Sequence, residues 1–158
     1  MHTRWITPLA LAAVVGTAAV FVSRPAVTAA DEPAAATQPA RRVTESGLTI
    51  IEVNVPAGDT LARTGDIVLV HYTGTLTDGK KFDSSFDHPG KKPIQFTIGA
   101  HKVIAGWEEG IAGMKIGQKR QLVIPPALGY RDQAMGDIPA NSTLHFDVHL
   151  VGIVRLPE

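Results

Sequence analysis

Apolar and polar residues alternate along most of the chain after residue 47, which is the pattern of β-strands with one buried face. Turn residues interrupt the alternation at residues 56–59 and at Pro125-Pro126, where strands are expected to end. Asp78-Gly79 is a strong hairpin signal. The strands that these patterns predict cover residues 48–55, 67–73, 81–84, 94–98, 121–124 and 144–150.

Residues 99–114 break the alternation and follow the 3.6-residue period of a helix. The apolar stripe on this period consists of Ile104, Trp107, Ile111 and Met114. A helix of about 12 residues is marginal on its own, so this stripe must pack on a sheet. Gly106 and Gly110 flank Trp107 and remove side-chain bulk, which lets a sheet or a ligand approach the indole closely. The sequence therefore predicts an α+β fold, in which an antiparallel half-barrel sheet of five to six strands wraps around one short α-helix.

The N-terminal part of the chain has the composition of an exported protein. Residues 1–30 combine a basic start, an apolar run over residues 5–22 and small residues at 27–30, which is typical of a cleaved signal peptide. The expected location is a bacterial periplasm or the outside of the cell. The alternative is an uncleaved membrane anchor, because about 18 apolar residues begin to suffice for spanning. Residues 31–45 are expected to form a flexible Ala/Pro-rich tether, and residues 46–158 one compact domain.

Composition and spacing exclude several kinds of chemistry. The chain has no cysteine, which excludes disulfides and thiol chemistry, and its formal net charge of +0 gives no basis for binding nucleic acid. His145 and His149 share a face of the last predicted strand, but no set of metal ligands is completed around them. Glu108 and Glu109 point about 100° apart on a helix, so a solvated face is expected rather than an acid–base pair. We therefore expect no metal and no cofactor.

Four motifs, in order and at matching spacing, cover nearly the whole predicted domain. They are Val70-His-Tyr-Thr-Gly74, Asp78-Gly-Lys-Lys-Phe-Asp-Ser-Ser85, Val103-Ile-Ala-Gly-Trp-Glu-Glu-Gly110 and Leu144-His-Phe-Asp-Val148. Together they closely resemble the FKBP-type peptidyl-prolyl cis-trans isomerases. The resemblance implies an antiparallel sheet around a short helix, with a pocket between them for proline and for macrolide inhibitors.

The resemblance also implies a set of site residues. Trp107 would form the floor beneath the proline ring, while the amide of Ile104 and the hydroxyl of Tyr130 would hydrogen-bond the carbonyls of a bound ligand. The residues implied in catalysis are Tyr72, Phe82, Asp83, Trp107, Tyr130 and Phe146. The residues implied in substrate binding are Val103, Ile104, Ile94 and Ile138.

Three features depart from the family pattern, and all concern the rim of the implied pocket. Ile94 stands where the family often has phenylalanine, Arg131 follows Tyr130 where glycine is usual, and residues 136–140 replace a more apolar loop. The loop is too short for the chaperone insert of some relatives. The tether lacks the helical dimerisation arm of others, so a monomer is expected.

The function that the resemblance implies is isomerisation of X-Pro bonds in exported proteins as they fold. An aromatic pocket could bind the twisted amide without covalent catalysis. The expected partners are proline-containing polypeptides and macrolide inhibitors, with no nucleic acid and no membrane contact after signal cleavage. The alternative is a binding module or chaperone that captures proline-containing segments with little turnover.

Overall fold

A computed structural model describes residues 39–155 and shows seven strands and one α-helix there. The predicted signal peptide, residues 1–30, lies outside the described residues. The helix α1 spans Ala105–Ile111, and short 3₁₀ turns occur at Pro89–Lys91 and Pro126–Leu128. The strands are β1 (Arg41–Val43), β2 (Thr49–Asn54), β3 (Ile67–Leu76), β4 (Lys81–Ser84), β5 (Ile94–Thr97), β6 (Lys119–Ile124) and β7 (Leu144–Val154).

All strand pairings are antiparallel, and the predicted fold class is confirmed. The sheet has the order β1-β2-β6-β7-β3-β4, and β5 also pairs with β3. The strand number is higher than the expected five to six, because β1 lies within residues 31–45, which were expected to be a tether. All three β1 residues are exposed, so this strand has no buried face and no apolar pattern that would predict it. Backbone pairing with β2 holds it in the sheet. The folded part therefore begins before residue 46.

The helix packs directly against β6 because two of its residues have no side chain. A Cβ atom on Gly106 would lie 2.6 Å from Ile124 Cγ2, and one on Gly110 would lie 2.6 Å from Leu122 Cδ1. The two glycines thus let the sheet approach the helix, which was one of the two expected roles. The stripe residues Trp107, Ile111 and Met114 are buried in the same core. None of the helices within residues 39–155 is long and apolar enough to cross a membrane.

Arg120 of β6 is a charged residue inside this core, with only 4% of its surface exposed. Its Nη1 atom donates to the carbonyls of Gly110 and Ala112 at 2.8 and 3.1 Å, and Nη2 reaches the carbonyl of Gly113 at 3.4 Å. Its Nε atom donates to Oε2 of Glu52 at 3.0 Å. The guanidinium therefore satisfies the carbonyl end of α1, where helical hydrogen bonds run out, and joins the helix to β6 and β2.

Candidate active site

The ten residues that the resemblance implies all line one open cavity of about 550 Å³ between the helix and the sheet. Its volume lies within the range of small-molecule sites. Four further residues lie on its wall, namely Lys102, Met135, Gly136 and Asp137. Lys102 and Asp137 give the mouth two opposite charges; Asp137 lies in the loop already noted as a departure at the rim, whereas Lys102 lies just outside the quoted motifs.

The floor of the cavity is a cluster of aromatic rings in edge-to-face contact. The Trp107 ring lies 5.0 Å from Tyr72 and 5.2 Å from Phe146, centroid to centroid, with interplanar angles of 73° and 84°. Phe82 meets Phe146 at 5.5 Å and 86°. Such T-shaped contacts are favoured because a positive ring edge meets a negative ring face. The cluster therefore gives the cavity a rigid, apolar floor, and Trp107 is 4% exposed within it.

Gly74 of β3 makes room for two of these rings. A Cβ atom there would lie 2.6 Å from Cζ of Phe82 and 2.8 Å from Cε1 of Phe146. Both distances are shorter than any van der Waals contact, so a side chain at this position would displace rings that form the cavity.

Gly74→Ala is expected to lower the free energy of unfolding by about 1–3 kcal/mol, as overpacking does. Urea unfolding would measure this effect. The matched control is Thr75→Ala, since Thr75 lies next along β3 with its side chain on the opposite face of the sheet. An unchanged urea midpoint in Gly74→Ala would show that the two rings do not pack tightly against this position.

Asp83 supplies the polar part of the wall. Its Oδ2 atom accepts a hydrogen bond from the Tyr72 hydroxyl at 2.6 Å, and its Oδ1 atom accepts from the Ser84 amide at 2.8 Å. Nε2 of His88 lies 2.9 Å from the same Oδ1. Burial raises the pKa of Asp83, but the bonds from Tyr72, His88 and Ser84 outweigh it, so this pKa lies below its ordinary value. The carboxylate is therefore charged throughout the neutral range.

The two tyrosines of the cavity stay protonated. Burial, and then the Asp83 carboxylate, raises the pKa of Tyr72, and the same two causes raise the pKa of Tyr130. Both side chains therefore keep their hydroxyl hydrogen in the neutral pH range.

Within residues 39–155 no group of three or more His, Cys, Asp or Glu side chains is arranged to hold a metal ion. The cavity instead offers an apolar floor, the Tyr130 hydroxyl as a donor, and one carboxylate that the Tyr72 hydroxyl orients. That arrangement can bind and polarise an uncharged amide, and it holds no nucleophile next to a base.

Comparison with known proteins decides the family. The profile of FKBP-type peptidyl-prolyl cis-trans isomerases matches residues 58–151, which is more than half of the chain. The chain belongs to this family. It is therefore a peptidyl-prolyl cis-trans isomerase.

Individual relatives agree with this assignment. The chain is 53% identical over 108 residues to FK506-binding protein 1A of Neurospora crassa, covering 68% of this chain and 88% of the relative. The solved structure of AtFKBP13 is similar with a TM-score of 0.66 and 38% identity, over 73% of this chain and 99% of that one. FkpA from Escherichia coli gives a TM-score of 0.65 and 39% identity over 74% of this chain. This chain spans only about half of FkpA, 53% of its length.

Two of the departures from the FKBP pattern have a visible structural counterpart. Arg131 has a φ of 56°, a left-handed conformation that glycine adopts without strain, which explains why the family favours glycine there. Met135 and Ile138 exchange backbone hydrogen bonds of 2.9 Å, so Gly136-Asp137 forms the tip of a small hairpin. This hairpin buries Ile138 at the cavity, while Asp137 faces out and lies 3.5 Å from Nζ of Lys80.

The acidic pair of the helix is not on a solvated face, contrary to expectation. The Glu108 side chain is only 12% exposed and accepts a hydrogen bond of 2.7 Å from the His101 amide. Glu109 accepts a hydrogen bond from the Ser46 hydroxyl. The expectation was wrong because the loop at His101, before the helix, and the turn at Ser46, between β1 and β2, both lie against the acidic side of the helix. Glu108 thereby fixes the segment that carries Val103 to the cavity.

Proposed function

We propose that this FKBP-type domain accelerates cis–trans isomerisation of X-Pro bonds in exported proteins as they fold, and that it binds the twisted amide without forming a covalent bond. The barrier to this rotation is about 18–20 kcal/mol and arises from amide resonance, which twisting abolishes. A catalyst needs only to bind the twisted form more tightly than the planar one.

The observation that carries this proposal is the cavity in which an aromatic floor meets one oriented carboxylate. The twisted amide has less charge separation than the planar amide. Moving it from water onto the apolar floor formed by Trp107 and its neighbouring rings therefore costs less free energy. Tyr130 and Ile104 line the cavity, and the proposed role of the Tyr130 hydroxyl and the Ile104 amide is to donate hydrogen bonds to substrate carbonyls. Each tenfold acceleration requires only about 1.4 kcal/mol of such preference.

The proposed substrates are proline-containing polypeptides, and macrolides of the FK506 class are the proposed inhibitors. The name of the Neurospora crassa relative, FK506-binding protein 1A, supports the second point. The proposed setting is a bacterial periplasm or the cell exterior, supported by the signal-like composition of residues 1–30, and the proposed active form is a monomer.

The test combines turnover with binding. A coupled peptide assay would measure X-Pro isomerisation with and without a macrolide, and Trp107 emission in a Trp5→Phe chain would report occupancy, because the chain has 2 tryptophans. We expect turnover that the macrolide abolishes, with a change in emission at the same concentration. The matched blank is the chain that also carries Trp107→Phe. Binding that changes emission without any turnover would overturn the isomerase proposal and favour the binding module.

A further inference from the structure

We infer that Ser85 is a positioning residue for the isomerase reaction, because its buried hydroxyl fixes the backbone of Tyr72 and thereby the place where the Tyr72 hydroxyl meets Asp83. The inference rests on the proposed function. Ser85 is the first residue after β4, and only 1% of its surface is exposed. It does not line the cavity, so its effect on the reaction must pass through the residues that it contacts.

Ser85 continues the pairing of β3 with β4 by one residue, but with its side chain instead of its carbonyl. Thr73 faces Ser84 in this pairing, so Tyr72 faces Ser85. The Ser85 amide donates to the Tyr72 carbonyl at 3.1 Å, as in an antiparallel ladder. The return bond from the Tyr72 amide goes to the Oγ atom of Ser85, at 3.1 Å. A hydroxyl therefore replaces the backbone acceptor at the point where the chain leaves the sheet.

The Ser85 hydroxyl is itself held in place by its surroundings. Nδ1 of His71 lies 3.0 Å from the Oγ atom, and the Phe86 ring stacks on this imidazole at 4.6 Å with an interplanar angle of 11°. Removing the hydroxyl would leave the Tyr72 amide buried and without an acceptor, which costs free energy until the backbone moves to find another one. We therefore expect the backbone of Tyr72 to shift when the hydroxyl is removed.

A shift of the Tyr72 backbone matters because the far end of this side chain belongs to the site. The Tyr72 hydroxyl donates to Oδ2 of Asp83 at 2.6 Å, and the Tyr72 ring meets Trp107 at 5.0 Å. The hydroxyl stands at the end of a long side chain, so a small rotation of the backbone is amplified there. A displacement of about 1 Å in an active site can slow a reaction about a hundredfold. Ser85 thus sets, through Tyr72, the direction in which Asp83 presents its carboxylate to the cavity.

The neighbouring hydroxyl of Ser84 has a different partner and does not replace that of Ser85. It donates to the Tyr72 carbonyl at 3.0 Å and lies 3.0 Å from Oγ1 of Thr73. Ser84 therefore holds the carbonyl of Tyr72, whereas the amide of Tyr72 depends on Ser85.

The experiment compares Ser85→Ala with the matched control Thr73→Val, which removes a hydroxyl from the next position of β3 and spares the bond to the Tyr72 amide. We expect Ser85→Ala to lower kcat about tenfold and to leave KM within about twofold, because the alignment of bound substrate is lost rather than its binding. Thr73→Val should keep both constants. A merely structural role would lower the urea midpoint of Ser85→Ala and leave kcat of the folded enzyme unchanged, and that result would overturn the inference.

A second variant covers the case in which Ser85→Ala fails to fold. Ser85→Cys keeps nearly the volume of the side chain, but sulfur is only a weak acceptor, so the same loss of kcat is expected from it. An unchanged kcat in Ser85→Cys would count against the inference in the same way.

A further measurement is independent of turnover. The hydroxyl proton of Tyr72 is bonded to a carboxylate at short distance, so it should give a downfield signal in a nuclear magnetic resonance spectrum, assigned by its loss in Tyr72→Phe. We expect this signal to move upfield in both Ser85 variants and to stay in place in Thr73→Val. A signal that stays in place in the Ser85 variants would overturn the inference. Absence of turnover in every version, the unchanged chain included, with the upfield shift observed, would instead overturn the proposed function and leave the role of Ser85 in placing the Tyr72 hydroxyl established.

Discussion

Arg120→Met is expected to lower the free energy of unfolding by about 3–5 kcal/mol, which is the range for removing one partner of a buried ion pair. Methionine fills much of the same volume, so the loss comes from the groups that lose their donor. These groups are the carbonyls of Gly110 and Ala112 and the carboxylate of Glu52, which is 17% exposed. A typical domain is stable by only about 5–15 kcal/mol, so the variant should be close to unfolding at 37 °C.

Urea unfolding monitored by far-ultraviolet circular dichroism would measure the loss. Lys119→Met is the matched control, because Lys119 precedes Arg120 on β6 and is exposed, and it should change stability by less than about 0.5 kcal/mol. The double variant Arg120→Met/Glu52→Gln should recover part of the loss, since it removes the uncompensated charge. A loss below 1 kcal/mol in Arg120→Met would mean that water replaces the guanidinium, and that α1 does not depend on it.

Sequence patterns predicted most of the fold because the elements that form the core are the ones with a clear period. In β3 and β7, inward residues alternate regularly with outward ones, and the burial of Val68, Val70 and Tyr72 follows that alternation. The helix was predicted within residues 99–114 from four residues on one stripe, but it spans only Ala105–Ile111, so Ile104 and Met114 lie outside it. The reason is that Ile104 precedes the helix without any side-chain cap, so no sequence signal marks its start.

The features that the sequence did not predict are held by interactions that leave no periodic pattern of apolar residues in the sequence. Strand β1 is held by backbone bonds to β2, and its Val43 is 63% exposed. Arg120 sits on the same face of β6 as Leu122 and Ile124, but it lies outside the predicted strand, which covered residues 121–124. Its partners lie 10 and 68 residues away in sequence, however, and no local rule identifies them.

The candidate site also has a part that the sequence predicted, its apolar lining, and a part that it did not predict, its polar contacts. The apolar lining follows from motifs, because each aromatic ring needs only to reach the core from its own strand or helix. The polar contacts depend on distances between elements: the Tyr72 hydroxyl meets Asp83 only because β3 and β4 pair, with Gly74 opposite Asp83. The contact of His88 with Asp83 depends further on the path of the loop after β4. Motif matching therefore named the residues of the wall but not the hydrogen bonds that orient them.

Asp83→Asn is expected to lower kcat/KM by tenfold to a hundredfold while leaving the fold nearly unchanged. The substitution keeps the size of the side chain and an oxygen that can accept from Tyr72, but it removes the charge. Hydrogen bonds to a charged group are worth about 1.5–3 kcal/mol, and about 1.4 kcal/mol corresponds to a factor of ten. Because the side chain of Asp83 is 41% exposed, its contact with His88 adds at most about 1 kcal/mol to stability.

Phe82→Ala is the matched comparison, because Phe82 precedes Asp83 on β4 and lines the same cavity. Its ring packs against Phe146, so its removal should lower the free energy of unfolding by about 3 kcal/mol, the lower end of the range for a large aromatic residue. Measuring kcat/KM and the urea midpoint for both variants separates the two roles. If Asp83→Asn lost as much stability as Phe82→Ala, its carboxylate would be a part of the core. If Asp83→Asn instead kept full activity and full stability, the charge would have no part in binding the twisted amide, and catalysis would rest on the aromatic floor and the hydroxyl donors alone.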